Sequence, residues 1–250
     1  ISIGLVGSEM CIRDRCQFPS LEKAVLTAQE IIQYGIPIAR IEMLNSDQMD
    51  ISIKYSNLEN LEIKPTLFFE FHGTENSNKE HIEVVESLSH NNLGSKFKWA
   101  ETTEERNKLW KARHDVYYSV KSQKNDARVY TTDVCVPISK LVECIKFVEI
   151  EVQKYGLKAP MVGHVGDGNF HTTFLYDPSK KEDYDLIRNF CNKLIVKALE
   201  LDGTITGEHG VGIHKKEYLI KQHGDNIPIM RSIKNTLDPN NIMNPGKIFD

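Results

Sequence analysis

The sequence predicts an α+β fold in which helices cover a mixed or largely antiparallel sheet. Segments with the helical spacing of apolar residues alternate along the chain with short runs that are typical of strands. At least one pair of these strands is joined by a tight turn rather than by a helix, which favours an antiparallel pairing over a doubly wound parallel sheet. We therefore expect one continuous α+β domain.

The individual elements follow from their patterns in chain order. Apolar residues recur at helical spacing over 21–32, and IPIARIEML at 36–44 alternates like a half-buried strand. TLFFEFHG at 66–73 is the clearest strand, since Pro65 and Gly73 bound it. Further helices are predicted at 46–56, 77–91, 103–121, 138–155, 182–201, 214–222 and 227–236. Further strands are predicted at 129–136, 160–165 and 170–176.

The overall composition argues against several classes of function. The 250 residues are 40% hydrophobic and 26% charged, with a net charge of −4, which disfavours a nucleic-acid surface or a polybasic membrane patch. No apolar run approaches the roughly 20 residues that span a bilayer. The five cysteines are scattered without a C-x-x-C pair, so neither a disulfide framework nor a thiolate zinc site is expected. A reducing compartment fits this cysteine usage best.

The stretch GHVGDGNFH at 163–171 predicts a hairpin whose turn is its DG pair. A two-residue turn there would place His164 directly opposite His171, with Cβ atoms about 4.5–5.5 Å apart on one face of the sheet. Two imidazoles at that separation can bind one metal ion. Val165 and Phe170 would then point to the other face, into the core. Taken alone, exposed histidines beside a turn are the commoner interpretation, so a metal site needs a third ligand.

A glycine-rich stretch, TGEHGVGIH at 206–214, offers such a ligand in Glu208. Glu208 together with the two hairpin histidines would form a His₂Glu set with open coordination positions, as in catalytic metal sites. The adjacent His209 would face the substrate as a general base, because successive side chains of an extended segment diverge. Taken alone, a glycine-rich loop before a helix with solvated charges is the commoner interpretation of the stretch.

The predicted helix at 103–121 carries an arginine on its apolar face. Arg113 shares this face with Leu109, Trp110, Val116, Tyr117 and Val120. A buried guanidinium needs a partner, and its fork geometry suits a carboxylate. That carboxylate belongs either to an Asp or Glu of the protein or to a substrate.

These motifs together resemble the C-terminal half of the mitochondrial, cytochrome-linked D-lactate dehydrogenases, within the FAD-linked oxidase family related to vanillyl-alcohol oxidase. The resemblance covers residues 16–250. It is carried by CQFPS, IPIARIEML, PTLFFEFHG, LWKARHDVYY, TTDVCVPIS, GHVGDGNFHTTFL, TGEHGVGIHKKEYL and LDPNNIMNPGKIF. It implies a cap domain packed over a flavin, in a mitochondrial enzyme that oxidises a small 2-hydroxy acid, most simply D-lactate to pyruvate. It also implies hydride transfer to FAD and an electron acceptor such as cytochrome c or another electron carrier.

The resemblance also assigns residue roles. The metal ligands, for zinc or manganese, would be His164, His171 and Glu208. His209 would be the catalytic base, Arg113 would bind the substrate carboxylate, and Asn244 in NPGK would contact the cofactor, although a simple Pro-Gly turn also explains that segment. Thr173 would line the substrate site. The 2-hydroxyglutarate relatives usually have Asn at that position, so Thr173 favours a small substrate such as lactate.

Two features depart from the family pattern. Residues 1–15, ISIGLVGSEMCIRDR, fall outside it and resemble translated adapter sequence, so we expect them to stand outside the fold. The family's FAD-binding domain lies upstream, so the 250 residues are expected to be a fragment that is inactive alone. The alternatives are a D-2-hydroxyglutarate or glycolate dehydrogenase, a flavin-independent metallohydrolase, and a truncated chain that serves as a binding module or does not fold stably.

Overall fold

The computed structural model describes residues 10–97, 104, 110–111 and 113–249. The strands it contains are β1 (Met10–Gln17), β2 (Arg40–Leu44), β3 (Thr66–Gly73), β4 (Arg128–Thr131), β5 (Val134–Cys135), β6 (Met161–His164) and β7 (Asn169–Tyr176). The helices are α1 (Leu21–Gln33), α2 (Ser46–Ser56), α3 (Glu75–Asn91), α4 (Val116–Lys121), α5 (Leu141–Tyr155), α6 (Lys181–Glu200), α7 (Lys216–His223) and α8 (Ile227–Leu237). The predicted elements are confirmed to within a few residues at most positions. Much of the predicted helix at 103–121 lies outside the described residues.

The strands form one sheet in the order β1-β3-β2-β6-β7-β4, with β5 also paired to β7. Every strand pair that the structure describes is antiparallel. The predicted α+β class with a largely antiparallel sheet is therefore confirmed. None of the described helices combines the length and apolar character that a membrane-spanning helix needs.

The two faces of the sheet are packed differently. Phe69, Phe71, Phe170 and Phe174 are fully or almost fully buried on one face, where they pack in the main core with residues of α1, α5 and α6. The other face has a smaller apolar cluster under α2 and α4, which contains Leu44, Met49, Phe68, Val116 and Val162. On this second face of the sheet, α2 and α4 are the described helices that contribute to the cluster.

Asn45 joins the second face to the strand that carries the first histidine. Its side chain caps α2 by accepting the Gln48 amide N–H at 2.9 Å, and it also accepts the Met161 N–H at 2.9 Å. Its Nδ2 donates to the Ala159 carbonyl oxygen at 2.9 Å. One buried amide therefore fixes α2 and the start of β6 relative to each other.

The hairpin between β6 and β7 forms, but its predicted register is wrong by two residues. His164 pairs with Asn169, and His171 pairs with Val162. The turn lies earlier than predicted and is longer, since the His164–Asn169 pair encloses four residues, 165–168, and the His164 carbonyl accepts the Asp167 N–H at 2.9 Å. Gly168 contacts the residue after β5 instead: its carbonyl accepts the Val136 N–H at 3.0 Å.

The N-terminal segment also differs from expectation. Residues 10–15 belong to β1 and pair with β3, so the expectation that all of 1–15 stands outside the fold is wrong for them. Residues 1–9 lie outside the described part of the chain. The pairing uses backbone groups, which almost any sequence supplies, so it carries no information on the origin of the segment.

Candidate active site

His164 and His171 lie on the second face of the sheet, as predicted, although they are diagonal rather than directly opposed neighbours. Their ring centroids are 6.0 Å apart and the rings are nearly perpendicular, at 83°. His171 is buried, whereas about a third of the His164 side chain is exposed, at 32%. Val165 and Phe170 are fully buried, as predicted for the opposite face.

Glu208 completes the predicted three-residue group. Its Oε1 lies 2.8 Å from Nε2 of His171 and 3.6 Å from Nε2 of His164. One potential ligand atom from each of the three residues lies within 4.8 Å of the others. The structure therefore brings together the three residues that the sequence predicts as metal ligands.

The hydrogen bonds of the two histidines fix which ring nitrogen carries a hydrogen. Nδ1 of His171 lies 3.0 Å from the Thr132 carbonyl oxygen, which can only accept, and Nδ1 of His164 lies 2.9 Å from Oε1 of Glu42. Both Nδ1 atoms are thus donors, and in the neutral ring each Nε2 keeps its lone pair. Histidines that bind metals are commonly oriented by such a carbonyl or carboxylate.

The buried Nε2 of His171 has no hydrogen-bond partner among the described residues, although Oε1 of Glu208 is 2.8 Å away. Two acceptor atoms facing each other at this distance repel unless a cation lies near both. Burial lowers the pKa of His171, which keeps the ring neutral and able to act as a ligand. The residues present therefore fit a divalent metal ion.

Glu42 was not predicted, and it connects two of the predicted site residues. Its buried carboxylate accepts from His164 through Oε1 and from Nη2 and Nε of Arg113 through Oε2, at 2.7 and 3.2 Å. Burial opposes its ionisation, but the hydrogen bond from His164 and the charge of Arg113 hold the pKa of Glu42 below its usual value. The hydrogen bond to Glu42 in turn raises the pKa of His164.

Glu42 also answers the question that Arg113 raised. The sequence left open whether its carboxylate partner belongs to the protein or to a substrate, and in the structure the partner is Glu42. The apolar face around Arg113 is confirmed for Trp110, Val116 and Val120, which are buried, but Tyr117 is 52% exposed. Leu109 lies outside the described residues.

Arg113 faces an open cleft of about 680 Å³. The same cleft is lined by Arg40, His164 and Glu208. A carboxylate that enters it meets two arginines next to the group of His164, His171 and Glu208. The two arginines that line this cleft suit it to a small anionic ligand.

His209 lies beside the three-residue group without being part of it. Its ring stacks on that of His171, with centroids 4.7 Å apart and an interplanar angle of 10°. About half of the side chain is exposed, at 47%, and its Nε2 lies 3.7 Å from Oε1 of Glu208. The ring is therefore accessible to a ligand bound at the group, as a general base must be.

A second group, Asp133 with His171 and His209, also has the proximity of metal ligands. Both oxygens of Asp133 already accept hydrogen bonds from the loop that carries Glu208 and from Asn169. Burial raises the pKa of Asp133, but the hydrogen bonds from Thr206, Asn169 and the His209 amide outweigh it and hold this pKa far below its usual value. The Glu208 group is thus the better metal site.

Thr173 and Asn244 are less closely tied to this group. Thr173 is buried in β7, on the same face as His171. Asn244 is exposed with a φ of 48°, in a terminal segment whose Ile248 N–H donates to the Gly212 carbonyl at 2.8 Å. This bond places the terminal segment beside the GEHGVG loop. The roles of both residues stay predictions.

Solved structures show which proteins share the fold of this chain. The chain aligns with 4-ethylphenol oxidase from Gulosibacter chungangensis at a TM-score of 0.70 and 15% identity, over 96% of this chain and 54% of that one. It aligns with p-cresol methylhydroxylase at a TM-score of 0.69 and 12% identity, over 96% and 53% of the two chains. Likeness at such identity shows the fold alone. The chain thus shares the fold of about half of each of these two proteins.

The family follows from the sequence comparisons. The family model "FAD linked oxidases, C-terminal domain" matches residues 15–248, so the chain belongs to this family. It is 42% identical over 236 residues to "Probable D-lactate dehydrogenase, mitochondrial" of Danio rerio, covering 94% of this chain and 47% of that protein. It is 39% identical to "D-lactate dehydrogenase [cytochrome], mitochondrial" of Arabidopsis thaliana, over 94% and 41%. "Glycolate oxidase subunit GlcD" of Bacillus subtilis is 30% identical, over 93% and 49%. The chain thus spans about half the length of these relatives.

Proposed function

We propose that the chain is the C-terminal, substrate-binding part of a flavin-dependent D-2-hydroxy acid dehydrogenase, with D-lactate as the substrate and pyruvate as the product. The observation that carries the proposal is the group of His164, His171 and Glu208. The Nδ1 atoms of both histidines are engaged, and Nε2 of His171 has no hydrogen-bond partner among the described residues. The family and the names of the relatives supply the flavin and the class of substrate.

The three residues of the group would hold a divalent ion, zinc or manganese. Such an ion acts as a Lewis acid that lowers the pKa of a bound hydroxyl. His164 and His171 would bind through Nε2, because their Nδ1 atoms are engaged. Glu208 would bind through its carboxylate, which balances part of the metal charge.

The remaining residues would orient the substrate and move its proton. Nε and one N–H of Nη2 of Arg113 are engaged by Glu42, so Nη1 and the second N–H of Nη2 would donate to the substrate carboxylate. His209 would accept the proton of the 2-hydroxyl at its exposed imidazole. FAD would supply the hydride acceptor. The family model that matches the chain is that of a C-terminal domain, and we propose that the nucleotide of FAD is held mainly by a part of the protein outside these residues.

The choice among 2-hydroxy acids is the finer part of the proposal. The relatives include proteins named for D-lactate and for glycolate. Thr173 on the histidine face favours a small substrate over D-2-hydroxyglutarate. We further propose a mitochondrial location and a cytochrome-type electron acceptor, because both words occur in the names of relatives.

A flavin-independent metallohydrolase remains the second candidate. The same His₂Glu group could activate a water molecule. The membership of the chain in the FAD-linked oxidase family favours the dehydrogenase.

The experiment measures metal content and turnover on the full-length protein. Elemental analysis should find about one divalent ion per chain, and the ion should be lost in His164→Ala and Glu208→Ala. Equal metal content in the unaltered protein and both variants would refute the metal centre. Dye-coupled oxidation should be fastest with D-lactate among D-lactate, glycolate and D-2-hydroxyglutarate, with L-lactate as the stereochemical control. Flavin reduction by none of the D-acids would refute the dehydrogenase itself.

A further inference from the structure

The loop that carries Glu208 and His209 contains no helix or strand, yet one buried carboxylate holds it. Asp133 lies between β4 and β5 with only 1% of its side chain exposed. Three successive backbone N–H groups donate to it, those of Gly207 at 2.9 Å, Glu208 at 3.2 Å and His209 at 3.0 Å. No residue of the predicted site performs this role.

We propose that Asp133 is the positioning residue of the metal centre, which sets the backbone of the loop so that Glu208 reaches the two histidines. The inference rests on the proposed metal centre and assigns it a further residue. Asp133 does not bind the ion, because its oxygens are occupied by the loop and by its neighbours. It acts through the backbone of Glu208.

The direction of the three N–H groups explains how this works. When consecutive amides point at one acceptor, the φ and ψ angles between them are restricted, and the side chains project away from that acceptor. The side chain of Glu208 therefore projects toward the histidines, where Oε1 lies 2.8 Å from His171 Nε2. The loop can lie this close only because residue 207 is glycine. A Cβ there would be 1.9 Å from Nδ2 of Asn169 and 3.0 Å from Oδ1 of Asp133.

Asp133 also ties the loop to the hairpin that carries the histidines. Nδ2 of Asn169 donates to Oδ1 of Asp133 at 3.0 Å, and Asn169 is the cross-strand partner of His164. Asp133 follows Thr132, whose carbonyl holds Nδ1 of His171 at 3.0 Å. The segment 132–133 thus contacts β7 and the loop directly, and it reaches β6, which carries His164, only through Asn169.

The chemistry requires a carboxylate rather than an amide at this position. Besides the three N–H groups, the hydroxyl of Thr206 donates to Asp133, and Nζ of Lys215 lies 3.5 Å from Oδ2. Every neighbour is a donor. An asparagine of the same shape would turn an NH₂ group toward some of these donors, leaving them unpaired in a buried site.

The test compares Asp133→Asn with Asp202→Asn in the full-length protein. Asp202 is exposed just after α6, in the connection between α6 and α7 that also contains the Glu208 loop. Its variant therefore makes the same chemical change close to the loop. Mn²⁺ affinity is measured by calorimetry well below the thermal transition, and amide hydrogen exchange is followed over 206–210. We expect Asp133→Asn to weaken Mn²⁺ binding about 10- to 100-fold, as for changes to residues that support metal ligands. The Gly207, Glu208 and His209 amides should exchange at least about tenfold faster, while Asp202→Asn matches the unaltered protein in both measurements.

The outcomes separate the inference from the proposed function. If the unaltered protein binds no Mn²⁺ or Zn²⁺, the proposed metal centre and the positioning role of Asp133 are both overturned. If it binds metal and Asp133→Asn binds equally well, only the positioning role is overturned. If Asp133 had a merely structural role, Asp133→Asn would lower the melting temperature without changing Mn²⁺ affinity at lower temperature. This outcome also overturns the positioning role. If Asp133→Asn does not fold, Thr206→Val removes one donor to the same carboxylate and should weaken Mn²⁺ binding several-fold; unchanged affinity in that variant counts against the inference.

Discussion

Replacement of Glu42 by Gln tests how the site holds its first histidine. The side chain is almost fully buried, at 2% exposed, and it accepts from Arg113 at 2.7 Å and from His164 at 2.9 Å. Gln has the same shape but only one acceptor oxygen. If this oxygen stays with Arg113, the amide NH₂ group faces Nδ1 of His164 and must donate to it. Nδ1 then becomes an acceptor and Nε2 takes the hydrogen, so the atom that should bind the metal no longer has a free lone pair.

Two magnitudes follow from this geometry. The loss of a charged hydrogen-bond partner for Arg113, which is 13% exposed, should lower the free energy of unfolding by about 1–3 kcal/mol. For a chain of this length each kcal/mol corresponds to about 2–4 °C in melting temperature, so a loss of about 2 kcal/mol gives about 4–8 °C. The metal affinity should fall about 10- to 100-fold, and the loss persists at temperatures where the variant is fully folded.

Differential scanning fluorimetry and Mn²⁺ calorimetry measure the two effects separately. The matched control is Glu143→Gln, which removes the same charge from an exposed ion pair with Lys197 and should change neither quantity. If Glu42→Gln keeps the Mn²⁺ affinity of the unaltered protein while His164→Ala loses it, the tautomer reasoning is wrong. If both Glu variants destabilise equally, the buried geometry assigned to Glu42 is wrong.

Three further predictions concern the surroundings of the site. Gly207→Ala should weaken Mn²⁺ binding about tenfold or more, because its Cβ would meet Nδ2 of Asn169 at 1.9 Å; calorimetry that shows unchanged affinity would contradict the close approach of the loop. Thr173→Asn should raise kcat/KM for D-2-hydroxyglutarate relative to D-lactate, and a ratio that stays the same or falls would remove Thr173 from the specificity argument. Iodoacetamide at pH 8 should label Cys135 before Cys144, because Cys135 is partly exposed whereas burial raises the pKa of the Cys144 thiol to about 12. Peptide mass spectrometry that finds Cys144 labelled first would contradict this order.

The elements of the fold were predictable because each one has a local signal. TLFFEFHG forms β3 over the predicted range, and α2 begins and ends at the predicted residues 46 and 56. Helix starts follow local chemistry as well: the hydroxyl of Ser20 accepts the Lys23 N–H at the start of α1. Sheet order has no such signal, and the placement of β3 between β1 and β2 depends on contacts between distant segments.

The residues that support the site were not predictable for the same reason. Glu42 lies 122 positions from the histidine it orients, and Asp133 lies 75 positions from the Glu208 amide. Each is an acid directly beside apolar residues of a strand: Glu42 lies between Ile41 and Met43, and Asp133 precedes Val134. A charge in a buried strand needs a partner, and the rule applied to Arg113 would have flagged both. The sequence could not have shown which partner each one meets.

The error in the hairpin register shows why the predicted group of His164, His171 and Glu208 nevertheless comes together. The turn dipeptide predicted the wrong centre because Gly168 is required elsewhere: a Cβ there would lie 2.1 Å from the carbonyl oxygen of Val136, the residue that follows β5. The resulting shift is two residues, and side chains alternate between faces with a period of two, so both histidines stay on the predicted face. A shift of one residue would have put His164 and His171 on opposite faces. The diagonal arrangement separates the rings by 6.0 Å, with Oε1 of Glu208 near both Nε2 atoms. The face of a strand residue is thus a safer inference from sequence than its cross-strand partner, and a ligand set shared by two strands needs only the face.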